Sequence, residues 1–375
     1  MEDKKIRVGI THGDTNGVGY ELIFKTFSEP AMLELCTPII YGSPKVAAYH
    51  RNALEMECNF TIVNSAAEAR DGRINMVAAF DEEIKVSLST PTEESGTAGL
   101  RALDLALEDY RNGMFDVLVT APISNNEAFQ FSGQSRYIED HTDSFGKGLT
   151  ILVNEKLRIA LATRNLPLRQ VTESLTPETV KEKTTALHAS LKRDFRISNP
   201  RIAVLAINPK AGENGLLGSE EQDIIAPAIK ELEENGIQAY GPYAADEFFG
   251  QGYYADFDGV VAMYYDQAFM PFRSLSDEEG INYTAGLPMV RTAPATGCSF
   301  DIAGQCVADE HAFRHAIYLA IDIHRNRITY DEPMGNPLKK LYRERRDESE
   351  KVRFAIPKKA PREDGKENKN AQEQA

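Results

Sequence analysis

The sequence predicts an α/β protein built on a mostly parallel sheet. Short unbroken apolar runs alternate along its 375 residues with longer segments whose apolar residues recur every three or four positions. Loops rich in glycine, proline and asparagine separate the two kinds of segment, as in strand–loop–helix units. No internal repeat of fixed period interrupts the alternation.

Taken in order, Ile6–Ile10 (IRVGI) reads as a strand, followed by a glycine turn and the helical YELIFKTF. TPIIYG is a second strand and KVAAYHRNAL a second helix. SGTAGLRALDLALEDYRNG sets Leu100, Leu103, Leu107 and Tyr110 on one helical face, and Gly113 stops it. FDVLVTAPI is a buried strand of the parallel type. LTILV and LRIALAT, separated by a charged turn, suit a hairpin. Thr176 caps the next helix, with Pro177 at its first position and Glu178 soon after. RIAVLAI is a strand leading into LAINPKAGENGLLGSEEQD, a glycine loop from which a helix opens at Ser219 with Glu220 and Glu221 in its first turn. DGVVAMYY is a further strand and DEHAFRHAIYLAIDIHRN the last helix. Residues 1–330 thus form the folded unit, and the charged stretch 331–375, poor in large apolar residues, is expected to be a disordered or loosely attached tail.

With 42 basic against 57 acidic residues the formal charge is −15, which argues against nucleic acid or an anionic membrane as partner. The start, MEDKKIRVGI, has no signal-peptide pattern, and no segment reaches the ~18 apolar residues of a membrane span. Cys36, Cys58, Cys298 and Cys306 lack paired zinc spacing and read as reduced thiols of a cytoplasmic protein.

In open α/β sheets ligands bind beyond the carboxyl ends of strands, so the loops there carry the chemistry. Thr11–Glu21 has three glycines that admit either a close backbone turn or an anion at a helix start. VTAPISNNEAF offers a small-residue turn, and EDHTDSFG offers His141 and Thr142. The loop after RIAVLAI presents Lys210, and MYYDQAFMPFRS presents Tyr265, Asp266, Gln267 and Arg273. INYTAGLPMVRTAPATG adds Asn282 and Arg291. Arginine's planar fork suits phosphate and carboxylate groups. His311 and His315 have metal-compatible spacing, but the apolar periodicity around them makes a core-packing helix the better account.

Together GDTNGVGYE, TAPI, HTD, NPKAGENGLLGSEE, MYYDQ and NYTAGLPMVRT resemble, in this order, the 4-hydroxythreonine-4-phosphate dehydrogenase family of pyridoxal-phosphate biosynthesis, over residues 5 to about 328. The resemblance implies two interleaved α/β/α subdomains with a cleft between them, as in isocitrate and isopropylmalate dehydrogenases. It implies a homodimer whose active sites lie at the subunit interface. The implied reaction is NAD-dependent oxidation of a phosphorylated hydroxy-amino acid, followed by decarboxylation.

The family's phosphate and substrate anchors map onto His141, Thr142, Asn282 and Arg291; Arg273 stands for its lysine, and Asp246 and Asp266 match its supporting aspartates. Its three metal-binding histidines are replaced, by Asn165, Lys210 and Tyr265. Asparagine is a poor zinc ligand and protonated lysine is none, so the chain is expected to work without a divalent metal. Asn125 and Thr296 replace a further lysine and histidine of the family pattern. Lys210 near Tyr265 could lower the phenol's pKa toward use as a base. The alternative is a catalytically inactive paralogue retaining a phosphate-ligand pocket.

Overall fold

The structure, a computed structural model, describes residues 5–80, 83–124, 133–142, 144, 146–276 and 280–335. Asn125 and residues 336–375, most of the expected tail, lie outside the described residues. Twelve strands are present among them: β1 Ile6–Thr11, β2 Cys36–Gly42, β3 Phe60–Val63, β4 Ile74–Ala78, β5 Val117–Thr120, β6 Leu149–Val153, β7 Arg158–Leu161, β8 Arg201–Leu205, β9 Gln238–Tyr243, β10 Gly259–Ala262, β11 Ile281–Ala285 and β12 Val290–Pro294. The helices are α1 Gly19–Ser28, α2 Pro30–Leu35, α3 Pro44–Ala53, α4 Glu93–Arg111, α5 Gln134–His141, α6 Leu168–Ser174, α7 Pro177–Arg193, α8 Ala226–Glu234, α9 Ala245–Gly250, α10 Tyr265–Leu275 and α11 His311–Gly335.

The strands form one sheet in the order β3-β4-β2-β1-β5-β12-β11-β6-β7-β10-β8-β9. The β3-to-β12 half and the β7-to-β9 half are parallel throughout. Between them β12, β11, β6 and β7 pair antiparallel. The chain builds most of the first half, crosses to build the second, and returns through β12. The fold class is therefore α/β with two interleaved halves. The sheet does not stop between them; its direction changes at an antiparallel seam.

Local chemistry explains most elements. Val117 to Thr120 are all fully buried, as a strand covered on both faces must be. The expected hairpin is β6–β7; Asn154 closes its turn by accepting from Lys156 N (2.9 Å) and Leu157 N (2.7 Å). The Thr176 side chain accepts from Thr179 N at 3.1 Å, capping α7 with Pro177 at its start. α4 stops before Gly113, whose φ is +69°. α11 runs past the expected boundary, to Gly335.

The glycine loop after β1 resolves in favour of packing. A Cβ on Gly13 would lie 2.3 Å from the Pro122 carbonyl oxygen, and one on Gly19 would lie 1.9 Å from that of His12. Glycine is required at these positions because neighbouring backbone packs against them.

Side-chain alternation decides what the seam presents. Tyr283 and Thr292 face α7 and α11: Tyr283 donates to Asp194 (2.6 Å), and Thr292 donates to the Ala316 carbonyl (2.7 Å). Arg327 on α11 completes this buried network. It donates to Asp194 (2.7 Å), to the Tyr283 hydroxyl (2.9 Å) and to the Leu287 carbonyl (3.2 Å) in the β11–β12 turn. Asn282, Thr284 and Arg291 consequently point to the other face, where the cavity lies.

Candidate active site

A cavity of about 660 Å³ lies over the seam, within the ~300–1,000 Å³ typical of small-molecule sites. Its walls come from the segment after β5, the first turn of α5, the loop after β7, the start of α10, and β11 and β12 with the loop that follows. Three arginines line it, Arg136, Arg164 and Arg291, and among the described residues no acidic side chain does. In a chain of net charge −15 that is a strong local inversion.

Arg291 is 3% exposed. Its guanidinium donates to Thr120 Oγ1 (2.6 and 3.1 Å), Gln134 Oε1 (3.1 Å), Ser135 Oγ (3.2 Å) and Thr284 Oγ1 (3.2 Å). Every one of these partners is neutral, and no ion pair to Arg291 occurs among the described residues. Burial pulls its pKa down to about 10, which leaves it charged at neutral pH. Gln134 is itself held in place, donating to the Ala121 carbonyl at 2.8 Å. Asn282 lines the same wall, and its buried Oδ1 has no partner among the described residues.

Arg164 is anchored differently. It is paired with Glu139 and donates to the Gly148 carbonyl (2.8 Å). Glu139 is almost fully buried and packs so closely on Gly148 that a Cβ there would lie 1.7 Å from its Oε1.

The structure brings some of the sequence-derived site residues together and separates others. Asn282, Arg291, Asn165, Tyr265 and Thr296 line the cavity. His141, Thr142, Arg273 and Asp266 do not. His141 is exposed at the end of α5, stacked on Tyr137 at 4.1 Å, and the Thr142 hydroxyl donates to the Ile138 carbonyl (2.7 Å). Arg273 is exposed on α10 beside Phe269, and Asp266 is exposed in its first turn.

Lys210 and Asp246 line a second cavity of about 520 Å³, with Glu247. Lys210 is 70% exposed, 3.8 Å from Glu213, in a run of left-handed backbone from Lys210 to Asn214. Within one chain Lys210 and Tyr265 therefore occupy separate cavities, and the expected lysine–tyrosine pair does not form there. Tyr265 instead stacks on Phe269, with centroids 4.0 Å apart. The base of the Lys210 loop is set by Glu221, whose carboxylate turns inward to accept from Ile207 N (2.9 Å) and Asn208 N (2.7 Å).

The donor set does not suit the family metal. Asn165 and Tyr265 share one cavity and Lys210 sits in the other, and none is an imidazole. Among the described residues no group of three His, Cys, Asp or Glu side chains could hold a metal ion. His311 instead pairs with Asp309 at 2.5 Å.

Sequence reasoning placed Thr120 only in a small-residue turn with room for a ligand, and missed Gln134, Ser135, Arg136 and Arg164. Arg164 had a signal, standing one residue before Asn165. The others carry none that distinguishes them from loop residues.

Two parallel α/β halves meeting at a seam, with a cationic cavity over it, define a cleft enzyme of the α/β class. The model of the family described as "Pyridoxal phosphate biosynthetic protein PdxA" matches residues 34–320. The 4-hydroxythreonine-4-phosphate dehydrogenase of Bacteroides thetaiotaomicron is 55% identical over 94% of this chain and 98% of its own. That of Prosthecochloris aestuarii is 36% identical over 85% and 97%. The crystal structure of the 4-hydroxythreonine-4-phosphate dehydrogenase of Klebsiella pneumoniae superposes with a TM-score of 0.73 at 28% identity, over 86% of this chain and 99% of that one. The chain belongs to this family and is an enzyme of the dehydrogenase type. Among the described residues, no helix is long and apolar enough to cross a membrane.

Proposed function

We propose that the chain oxidises a phosphorylated hydroxy-amino acid with NAD and releases carbon dioxide from the product, without a divalent metal. The observation that carries this reading is Arg291: a buried cation facing a cavity, with neutral partners on every side. Charge held that way is costly unless a ligand anion completes it. Phosphate, with several strong acceptors, is the matching group. Asn282 Oδ1 is a free acceptor on the same wall and suits a substrate hydroxyl or ammonium.

NAD, when bound, supplies the hydride acceptor; the cavity over the seam has room for a substrate beside a nicotinamide ring. Arg291 and Asn282 hold and orient the substrate. Leu161 and Phe269 give the cavity apolar wall from which water is excluded.

The remaining site residues fit a homodimer. Lys210 and Asp246, in their own cavity, meet the partner's seam cavity across the interface, where Lys210 supplies positive charge and a proton-moving group. Support comes from large apolar side chains exposed near both cavities: Leu168 (72%), Leu216 (78%) and Met270 (68%). Where such groups gather into a patch they mark an interaction surface. Localisation in the cytoplasm accords with the free cysteines.

The test is NADH formation with a panel of phosphorylated hydroxy-amino acids, in chelator and with added zinc, cobalt or magnesium. Turnover in chelator is expected. Turnover only with added metal would overturn the metal-free reading. Binding of phosphorylated ligands without any NADH formation would favour the inactive paralogue.

A further inference from the structure

We propose that Arg136 is a second anion-binding group of the seam cavity, one that reads a carboxylate carried by the same ligand whose phosphate sits at Arg291. The proposal rests on the phosphate reading above.

The lining of the cavity offers a ligand more than one cation. Arg164 is neutralised by Glu139, buried behind it. Among the described residues that leaves Arg291 and Arg136 in the lining without an acidic partner. Arg136 has no hydrogen-bond or ion-pair partner among the described residues.

The placement of Arg136 is fixed by a short helix. Gln134, Ser135 and Arg136 are the first three residues of α5 and all line the cavity. Gln134 and Ser135 touch the Arg291 guanidinium at 3.1 and 3.2 Å. Arg136 follows directly, one helical turn before Glu139, which carries Arg164. All three cations line the cavity, with Arg291 buried and Arg136 exposed. A ligand with one anionic group leaves the outer cation in water. A small molecule with a phosphate at one end and a carboxylate at the other matches both. The inner position, dry and rich in hydroxyl donors, suits phosphate; the outer arginine's planar fork suits a carboxylate. A charge at the rim of a site discriminates among ligands without carrying the fold.

The experiment compares two ligands on the full chain by calorimetry: O-phosphothreonine, with phosphate and carboxylate, and O-phosphoethanolamine, with phosphate and amine but no carboxylate. The wild type is expected to prefer O-phosphothreonine. Arg136→Ala is expected to weaken O-phosphothreonine by about three- to tenfold and leave O-phosphoethanolamine unchanged, closing the gap. Arg136→Lys should recover most of the preference. Arg136 is exposed, so the variants should fold, which circular dichroism checks. Equal weakening of both ligands, or a gap that survives Arg136→Ala, would overturn the proposal while leaving the phosphate reading standing. Failure of the wild type to bind either ligand would overturn the phosphate reading and this subsite with it.

Discussion

Arg291→Gln separates the cost of a buried cation from its use. In the free protein the guanidinium is 3% exposed and has only neutral oxygens around it. Burial alone lowers its pKa to about 10 from 12.5, a displacement equivalent to roughly 3 kcal/mol against the charged form. Glutamine removes that charge but keeps a polar group, and the Thr120, Ser135 and Thr284 hydroxyls can rotate to new partners. Stability of the free protein should therefore change less than ligand binding does. A charge-assisted contact to phosphate contributes ~1.5–3 kcal/mol, so affinity should fall by about 10- to 150-fold. Arg291→Ala should lose a similar amount. The assay is calorimetry with inorganic phosphate, pyridoxal phosphate and phosphohydroxythreonine. Equal affinity in wild type and Arg291→Gln, with the far-ultraviolet spectrum intact, would refute the assignment of Arg291 to the phosphate.

Lys210→Ala should reduce kcat by more than it raises KM, because the lysine, outside the seam cavity of its own chain, is proposed to move a proton at the partner's rather than to hold the substrate; steady-state kinetics showing only a KM change would place it in binding instead. The protein should be a homodimer by light scattering at micromolar concentration, and a monomer that turns over would remove the shared-site reading. Stability should fall as pH drops from about 6.5 toward 3. Burial, with His50 nearby, lowers His12 to about 3, while the unfolded imidazole titrates near 6.5. In that window the unfolded chain takes up a proton that the folded chain excludes, at up to ~1.4 kcal/mol per pH unit. His12→Leu should flatten this part of the urea-midpoint profile; an unchanged slope would assign the acid sensitivity to other groups.

The elements legible in the sequence are those set by near neighbours. The hairpin at Asn154, the Thr176 cap, the stop at Gly113 and the buried run of β5 depend on spacings of a few residues, and the structure has each where the pattern puts it. Family membership was legible too, because the order of six short motifs is a property of the chain alone. The makeup of the cavity was not. Arg291 meets Thr120 across 171 residues and Gln134 across 157, and no local pattern encodes such a pairing. Whether an arginine finds a carboxylate or only hydroxyls depends on which strands become neighbours at the seam. The same holds for Lys210 and Tyr265: sequence could name both as departures, but only the sheet order places their loops in separate cavities. Periodicity and capping are local free-energy terms that the chain carries with it. The charge balance of a cleft is a long-range sum that exists only once β5, β12, β11 and β6 lie side by side.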